Sequence, residues 1–152
     1  ALITRLYEAF QRNDGAAMAA CYAPDASFAD PVFPDLQGPR GGHMWRMLTS
    51  QAADLKVEFS DVIADDSSGS AHWEAWYTFS ATGRKVHNVI DAEFTFRDGL
   101  IATHRDTFDF YRWSKQALGV PGFLLGWTGF LQNKVRGQAG KALSICESKN
   151  AG

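Results

Sequence analysis

From Leu55 to Phe110 the chain alternates apolar and polar side chains, and short polar clusters cut the run into pieces. Leu55, Val57 and Phe59 alternate with polar neighbours. In residues 71–80, Trp73, Ala75, Tyr77 and Phe79 share one face, opposite His72, Glu74, Thr78 and Ser80. A period of two belongs to a strand, and this alternation puts one face on a core. Asp65 to Ser70, Thr82-Gly83 and Arg97-Asp98-Gly99 supply turns between strands starting at Leu55 and strands at 71–80, 85–96 and 100–110. Such short connections join antiparallel strands, so the segment reads as a meander.

Helices flank it. Leu2, Leu6 and Phe10 recur at helical spacing with Tyr7 alongside, and Asn13-Asp14-Gly15 breaks that helix. Asp14 caps a short second helix carrying Met18, Cys21 and Tyr22. Pro24-Asp25 turns the chain into a strand at 26–30. Residues 31–42 hold three of the five prolines and read as a loop. A helix at about 42–53 carries Met44, Trp45 and Leu48. After the meander come a helix at 111–118, a break at Gly119-Val120-Pro121, and a long helix at 123–147 with Leu131, Val135, Ala139, Ala142 and Cys146 on one stripe. Helices followed by an antiparallel meander make the fold class α+β.

Composition narrows the function. The 152 residues, 45% hydrophobic and 21% charged, suit one domain with a true core. A net charge of −2, with no basic run longer than Arg84-Lys85, excludes nucleic acid as a main partner. Cys21 and Cys146 fit no metal spacing and read as thiols of a reduced, cytoplasmic compartment. No apolar run spans a bilayer and no signal-peptide pattern is present, so no membrane partner is expected. Ala1 opens already in helical register, which suggests a trimmed natural N-terminus.

Three aspartates interrupt strand-like segments: Asp30 after Phe28-Ala29, Asp91 after Val89-Ile90, and Asp106 after His104-Arg105. A carboxylate in such a place lies on the solvent face or lines a cavity, because burial without a partner shifts its pKa. Alternation puts His87, Val89, Asp91 and Glu93 on one face of residues 85–96. Asn88, Ile90, Ala92, Phe94 and Phe96 form the other, and by polarity alone that second set faces the core. His104, Asp106, Phe108 and Phe110 share a face of the last strand. Asp30 before Pro31 has an alternative reading as a turn residue, and His104 with Asp106 one as a structural pair.

The pattern resembles the nuclear transport factor 2-like superfamily, and within it the SnoaL-like proteins, over about residues 1–120; residues 121–152 are a C-terminal helical extension. The resemblance implies a conical half-barrel whose curved sheet wraps an apolar pocket. Tyr22 to Pro31 resembles the ketosteroid isomerase segment in which an Asp before Pro is the general base, a place taken by Asp30. Val89-Ile90-Asp91 resembles the strand bearing those enzymes' protonated Asp, which would turn Asp91 inward. The tyrosine of their oxyanion hole falls on Leu6, one step from Tyr7. Gly99 to Pro121 resembles limonene epoxide hydrolases, with Asp106 at a catalytic Asp; their other triad positions fall on Ala75 and Trp73.

On this basis Asp30, Asp91, His104 and Asp106 are the expected catalytic residues. Phe28, Trp73, Tyr77, His87, Val89, Phe108 and Trp127 are expected to bind ligand. The reaction implied is cofactor-independent acid–base chemistry of isomerase, cyclase or epoxide-hydrolase type on a small apolar molecule. The alternative is a non-catalytic binding or dimerisation module of the same fold. No histidines stand at chelating spacing, so no metal is expected. With Asp91 inward, Ile90, Ala92, Phe94 and Phe96 would lie on the convex face, which predicts a homodimer through the sheet. Trp127 and Phe130 are the expected plugs of the pocket mouth.

Overall fold

The computed structural model describes residues 2–51 and 54–151; Ala1 and the last two residues of the helix expected at 42–53 fall outside this range. Among the described residues six strands form one curved, open sheet: β1 (Tyr22–Ala29), β2 (Leu36–Gln37), β3 (Lys56–Ala64), β4 (Ser68–Phe79), β5 (Arg84–Arg97) and β6 (Leu100–Thr107). Their order is β2-β1-β6-β5-β4-β3. Every neighbouring pair is antiparallel except β1 with β6, which run parallel. The helices are α1 (Leu2–Gln11), α2 (Gly15–Ala19), α3 (Arg40–Gln51), α4 (Phe110–Leu118), α5 (Val120–Leu125) and α6 (Gly129–Ala151). The class is α+β, as the pattern predicts.

α1 and α3 fill the concave side of the sheet. α1 buries Ile3, Leu6, Tyr7 and Phe10, spaced three and four apart on one face, and α3 buries Met44, Trp45 and Met47. Opposite them, β4 contributes Trp73 and Ala75, β5 contributes Ile90, Ala92 and Phe94, and β1 contributes Phe28. A bulge at Ala102, between the pairs Phe96–Ile101 and Thr95–Thr103, lets both Ile101 and His104 face inward.

Several expectations change here. β1 begins at Tyr22 rather than at residue 26, so Tyr22 belongs to the sheet. The proline-rich loop contains the two-residue strand β2. The apolar set Ile90, Ala92 and Phe94 lies in the core, so the polarity of the strand, rather than the resemblance, sets the orientation of β5. The convex-sheet homodimer expected from that set therefore loses its apolar surface.

The tail folds back over the domain. Arg40 and His43 of α3 pair with Glu147 of α6. Gln132 and Arg136 of α6 donate to the carbonyl of Pro31, so α6 is tied to the loop after Asp30.

Candidate active site

Asp30 stands just past the end of β1, where Pro31 forces the chain out of the sheet. Its Oδ1 accepts the backbone N–H groups of Val32 at 2.7 Å and Phe33 at 2.6 Å. The turn reading of Asp30 is therefore met, and Oδ2 carries no hydrogen bond among the described residues. Burial pushes its carboxyl up to about 7, and the charge of Asp106 adds to the rise; the two backbone donors and Arg136 oppose it.

Asp106 and His104 lie side by side on the inner face of β6, both buried. His104 Nε2 is 2.7 Å from Asp106 Oδ1, which also accepts Trp73 Nε1–H at 3.3 Å. His104 Nδ1 is 2.7 Å from the Tyr22 hydroxyl, which accepts Trp45 Nε1–H at 2.8 Å. An indole nitrogen only donates, and both ends of this chain are indoles. With Tyr22 accepting from Trp45, its own proton points to His104 Nδ1. That makes Nδ1 the acceptor and puts the imidazole proton on Nε2, directed at Asp106. Phe28 and Phe94 box the His104 ring at 4.9 and 4.2 Å between centroids.

Two phenols face the same region. The Tyr77 hydroxyl accepts Trp113 Nε1–H at 2.9 Å, which leaves its own proton without an acceptor among the described residues. Burial raises its pKa, and the charge of Asp30 adds to the rise, so the two groups are electrostatic neighbours. Tyr7 is fully buried with its hydroxyl unpartnered among the described residues. Burial first, then the charge of Asp106, holds its proton on. Val32, Tyr77 and Phe108 each pack against both the inner core and the smaller cluster of Val86, Phe110 and Trp113.

Asp30, His104 and Asp106 thus share the concave side with Phe28, Trp73, Tyr77 and Phe108. Asp91, His87 and Val89 do not. Asp91 is exposed on the outer face of β5, directly opposite His72 in the strand register. There it completes a surface row in which His72 bonds Asp91 at 2.9 Å and Glu74 at 3.2 Å, and His87 bonds Glu74 at 2.7 Å. His87 also stacks on Trp76. A donor role for Asp91 inside the cone is corrected by this placement, because turning it inward would expel Ile90 and Ala92. Trp127 is 74% exposed and Phe130 73%, so neither plugs the interior. Among the described residues no cluster of three metal-ligating side chains occurs.

Tyr22, Trp45 and Tyr7 were not singled out by the sequence. The signal for Tyr22 was Pro24, which excludes a helix continuing through it. The signal for Tyr7 was Ile3 four residues earlier, which widens the buried arc of α1. A groove of about 620 Å³ lies elsewhere, over the outer face of β1, β6 and β5, lined by Ser27, Glu93, Thr95, Thr103 and Arg105. Phe28, Phe94 and His104 border it, but neither Asp30 nor Asp106 is among its lining residues.

Known proteins agree with this architecture. IdmH of Streptomyces antibioticus, a candidate polyketide cyclase, is similar in structure with 25% identity and a TM-score of 0.61, covering 78% of this chain and 96% of that one. An LEH-like epoxide hydrolase of M. tuberculosis is similar at 20% identity and TM-score 0.62, covering 81% and 92%. An NTF2-like protein of Burkholderia pseudomallei is similar at 20% identity and TM-score 0.60, covering 71% and 88%. No protein of curated function matches the chain. Residues 3–104, from α1 to the buried histidine of β6, match the model of the SnoaL-like domain, and the chain belongs to that family.

Proposed function

We propose that this protein is a cofactor-independent enzyme that moves a proton on a small apolar substrate. The observation that carries the reading is Asp30, a carboxyl raised to about 7 with one oxygen uncommitted, whose charge is felt by a phenol with an uncommitted proton. A base works best when its pKa lies near the working pH. Asp30 Oδ2 would take a proton from carbon next to a substrate carbonyl. Tyr77, already polarised by accepting from Trp113, would donate to the oxygen that becomes negative. The Tyr22–His104–Asp106 row orders the protons of the floor and keeps a negative charge near Asp30. The donor role expected of Asp91 passes to the phenols in this reading. The likeness to a candidate polyketide cyclase and to an epoxide hydrolase supports a small organic substrate.

The test is hydrogen–deuterium exchange at the α-carbon of a panel of hydrophobic cyclic ketones and enones in D2O. The wild type should catalyse exchange, and Asp30→Asn should lose about 100-fold or more while staying folded. A wild type that exchanges none of the panel defeats the proposal.

A second reading, a non-catalytic module, is favoured by one feature. Phe10, Trp45 and Trp73 pack ring to ring across the interior at 5.1 to 6.2 Å between centroids. Tight binding of apolar ligands, unchanged in Asp30→Asn and without any exchange, would favour that reading.

A further inference from the structure

α5 packs against its neighbour through glycines and turns its large apolar side chains outward. Gly122 and Gly126 face Ser114 of α4. A Cβ on Gly122 would stand 1.9 Å from the Ser114 carbonyl oxygen, and one on Gly126 2.0 Å from its hydroxyl. With that face closed to side chains, Val120, Phe123, Leu124, Trp127 and Phe130 point to solvent, each 58–74% exposed. Burial here is the reverse of an ordinary surface helix, which hides its apolar stripe. So concentrated an apolar patch on a soluble domain marks a contact surface.

Charge identifies the partner. Between Asp109 and Glu147 the chain holds five cations (Arg112, Lys115, Lys134, Arg136 and Lys141) and no carboxylate, although the net charge of the whole is −2. Phe130, Lys134 and Lys141 lie four and seven residues apart, so the exposed apolar stripe of α6 runs into a basic one. Arg84 lies over Gly119 at the start of α5, with its guanidinium 3.2 Å from the site of a Cβ there. Trp, Phe and Leu bordered by Lys and Arg, without acids, match the boundary between acyl chains and anionic headgroups. A second copy of this segment would bring cation against cation. Among the described residues no helix is long and apolar enough to cross a membrane, so the contact is alongside the bilayer and not through it.

We infer that α5 and the first turns of α6 form a docking surface for an anionic lipid bilayer, with Phe123, Trp127 and Phe130 entering the interface and Lys134 and Lys141 pairing with headgroups. The inference rests on exposure and charge alone and stands whether or not the proposed chemistry holds.

The test is sedimentation of the full chain with phosphatidylcholine vesicles, with and without one-third phosphatidylserine, alongside light scattering of the protein alone. The wild type should sediment with the phosphatidylserine vesicles, with a blue shift of tryptophan emission, and should be released by high salt. The double variant Phe123→Ser, Trp127→Ser should lose binding with unchanged melting, since both side chains are exposed. Lys134→Gln with Lys141→Gln should weaken binding about tenfold or more, two headgroup contacts being removed. Absence of sedimentation with either vesicle overturns the proposal. So does equal binding to phosphatidylcholine alone, which would remove the role of charge. A dimer broken by the serine variant, with vesicles ignored, would assign the surface to self-association instead.

Discussion

Trp45 Nε1 stands 2.8 Å from the Tyr22 hydroxyl, and that contact decides which His104 nitrogen holds a proton. The phenol cannot give its proton to an indole, and His104 Nδ1 is its one other hydrogen-bond partner among the described residues, so the proton goes to Nδ1. Tyr22→Phe should therefore do more than remove one bond. It leaves both the Trp45 N–H and His104 Nδ1 buried without partners, at a cost of about 2–4 kcal/mol. Urea denaturation measures this. Nitrogen-15 spectra of the wild-type imidazole should show Nδ1 accepting a hydrogen bond and Nε2 donating one.

Asp30 should make activity and stability run oppositely with pH. Its carboxyl is raised from 3.8 to about 7, so the folded state holds the proton more tightly than the unfolded chain. That contribution is fully present below about pH 4 and is lost as pH rises through about 7. The loss is at most about 4 kcal/mol, reduced by the residue's partial exposure to solvent. Asp30→Asn should flatten the decline in melting temperature across this window, because the amide oxygen can still accept from Val32 and Phe33. Exchange activity needs the ionised form and should rise through the same window, levelling off above it.

Tyr7→Phe should stabilise the fold. The hydroxyl is buried with no partner among the described residues, and deleting it removes a desolvated group at almost constant volume. The expected gain is about 1 kcal/mol by thermal or chemical unfolding. A loss of stability would mean that the hydroxyl has a partner such as bound water.

Asp91→Asn should leave exchange activity intact, since the side chain lies on the outer face. Its effect belongs to His72, whose pKa is raised first by the hydrogen bond it donates to Asp91 and also by Glu74, against the effect of burial. The variant should bring the His72 titration down toward the ordinary value, as followed by proton NMR. A raised histidine stabilises below its ordinary pKa, and that support is lost as pH rises through its folded one. The wild type should therefore lose this small support at a higher pH than the variant.

The faces of β4 and β6 are legible in the sequence because alternation is local. Trp73, Ala75, His104 and Asp106 all lie on the side that the period of two assigns. The same rule had β5 right. Only matching Val89-Ile90-Asp91 to a family strand turned it over, and a three-residue resemblance cannot outweigh the burial of Ile90, Ala92 and Phe94. The partnership of Tyr22 with His104 was not legible. It spans 82 residues and requires β1 to lie parallel to β6, an arrangement that no local pattern encodes. α5 was missed for a different reason. Its inward face consists of glycines, so hydrophobic periodicity points the wrong way.

The parallel pairing of β1 with β6 also has a consequence during synthesis. β5 meets β4 as soon as the intervening turn has emerged, but Tyr22 waits for a histidine 82 residues later, roughly 4–16 s at the usual pace of a ribosome. For that interval β1 has only two-residue β2 beside it, and its other edge is open to neighbouring nascent chains. Pro24 offers no N–H to such a neighbour and Asp25 offers it a charge, so the two residues that look least suited to a strand guard it until its partner is made.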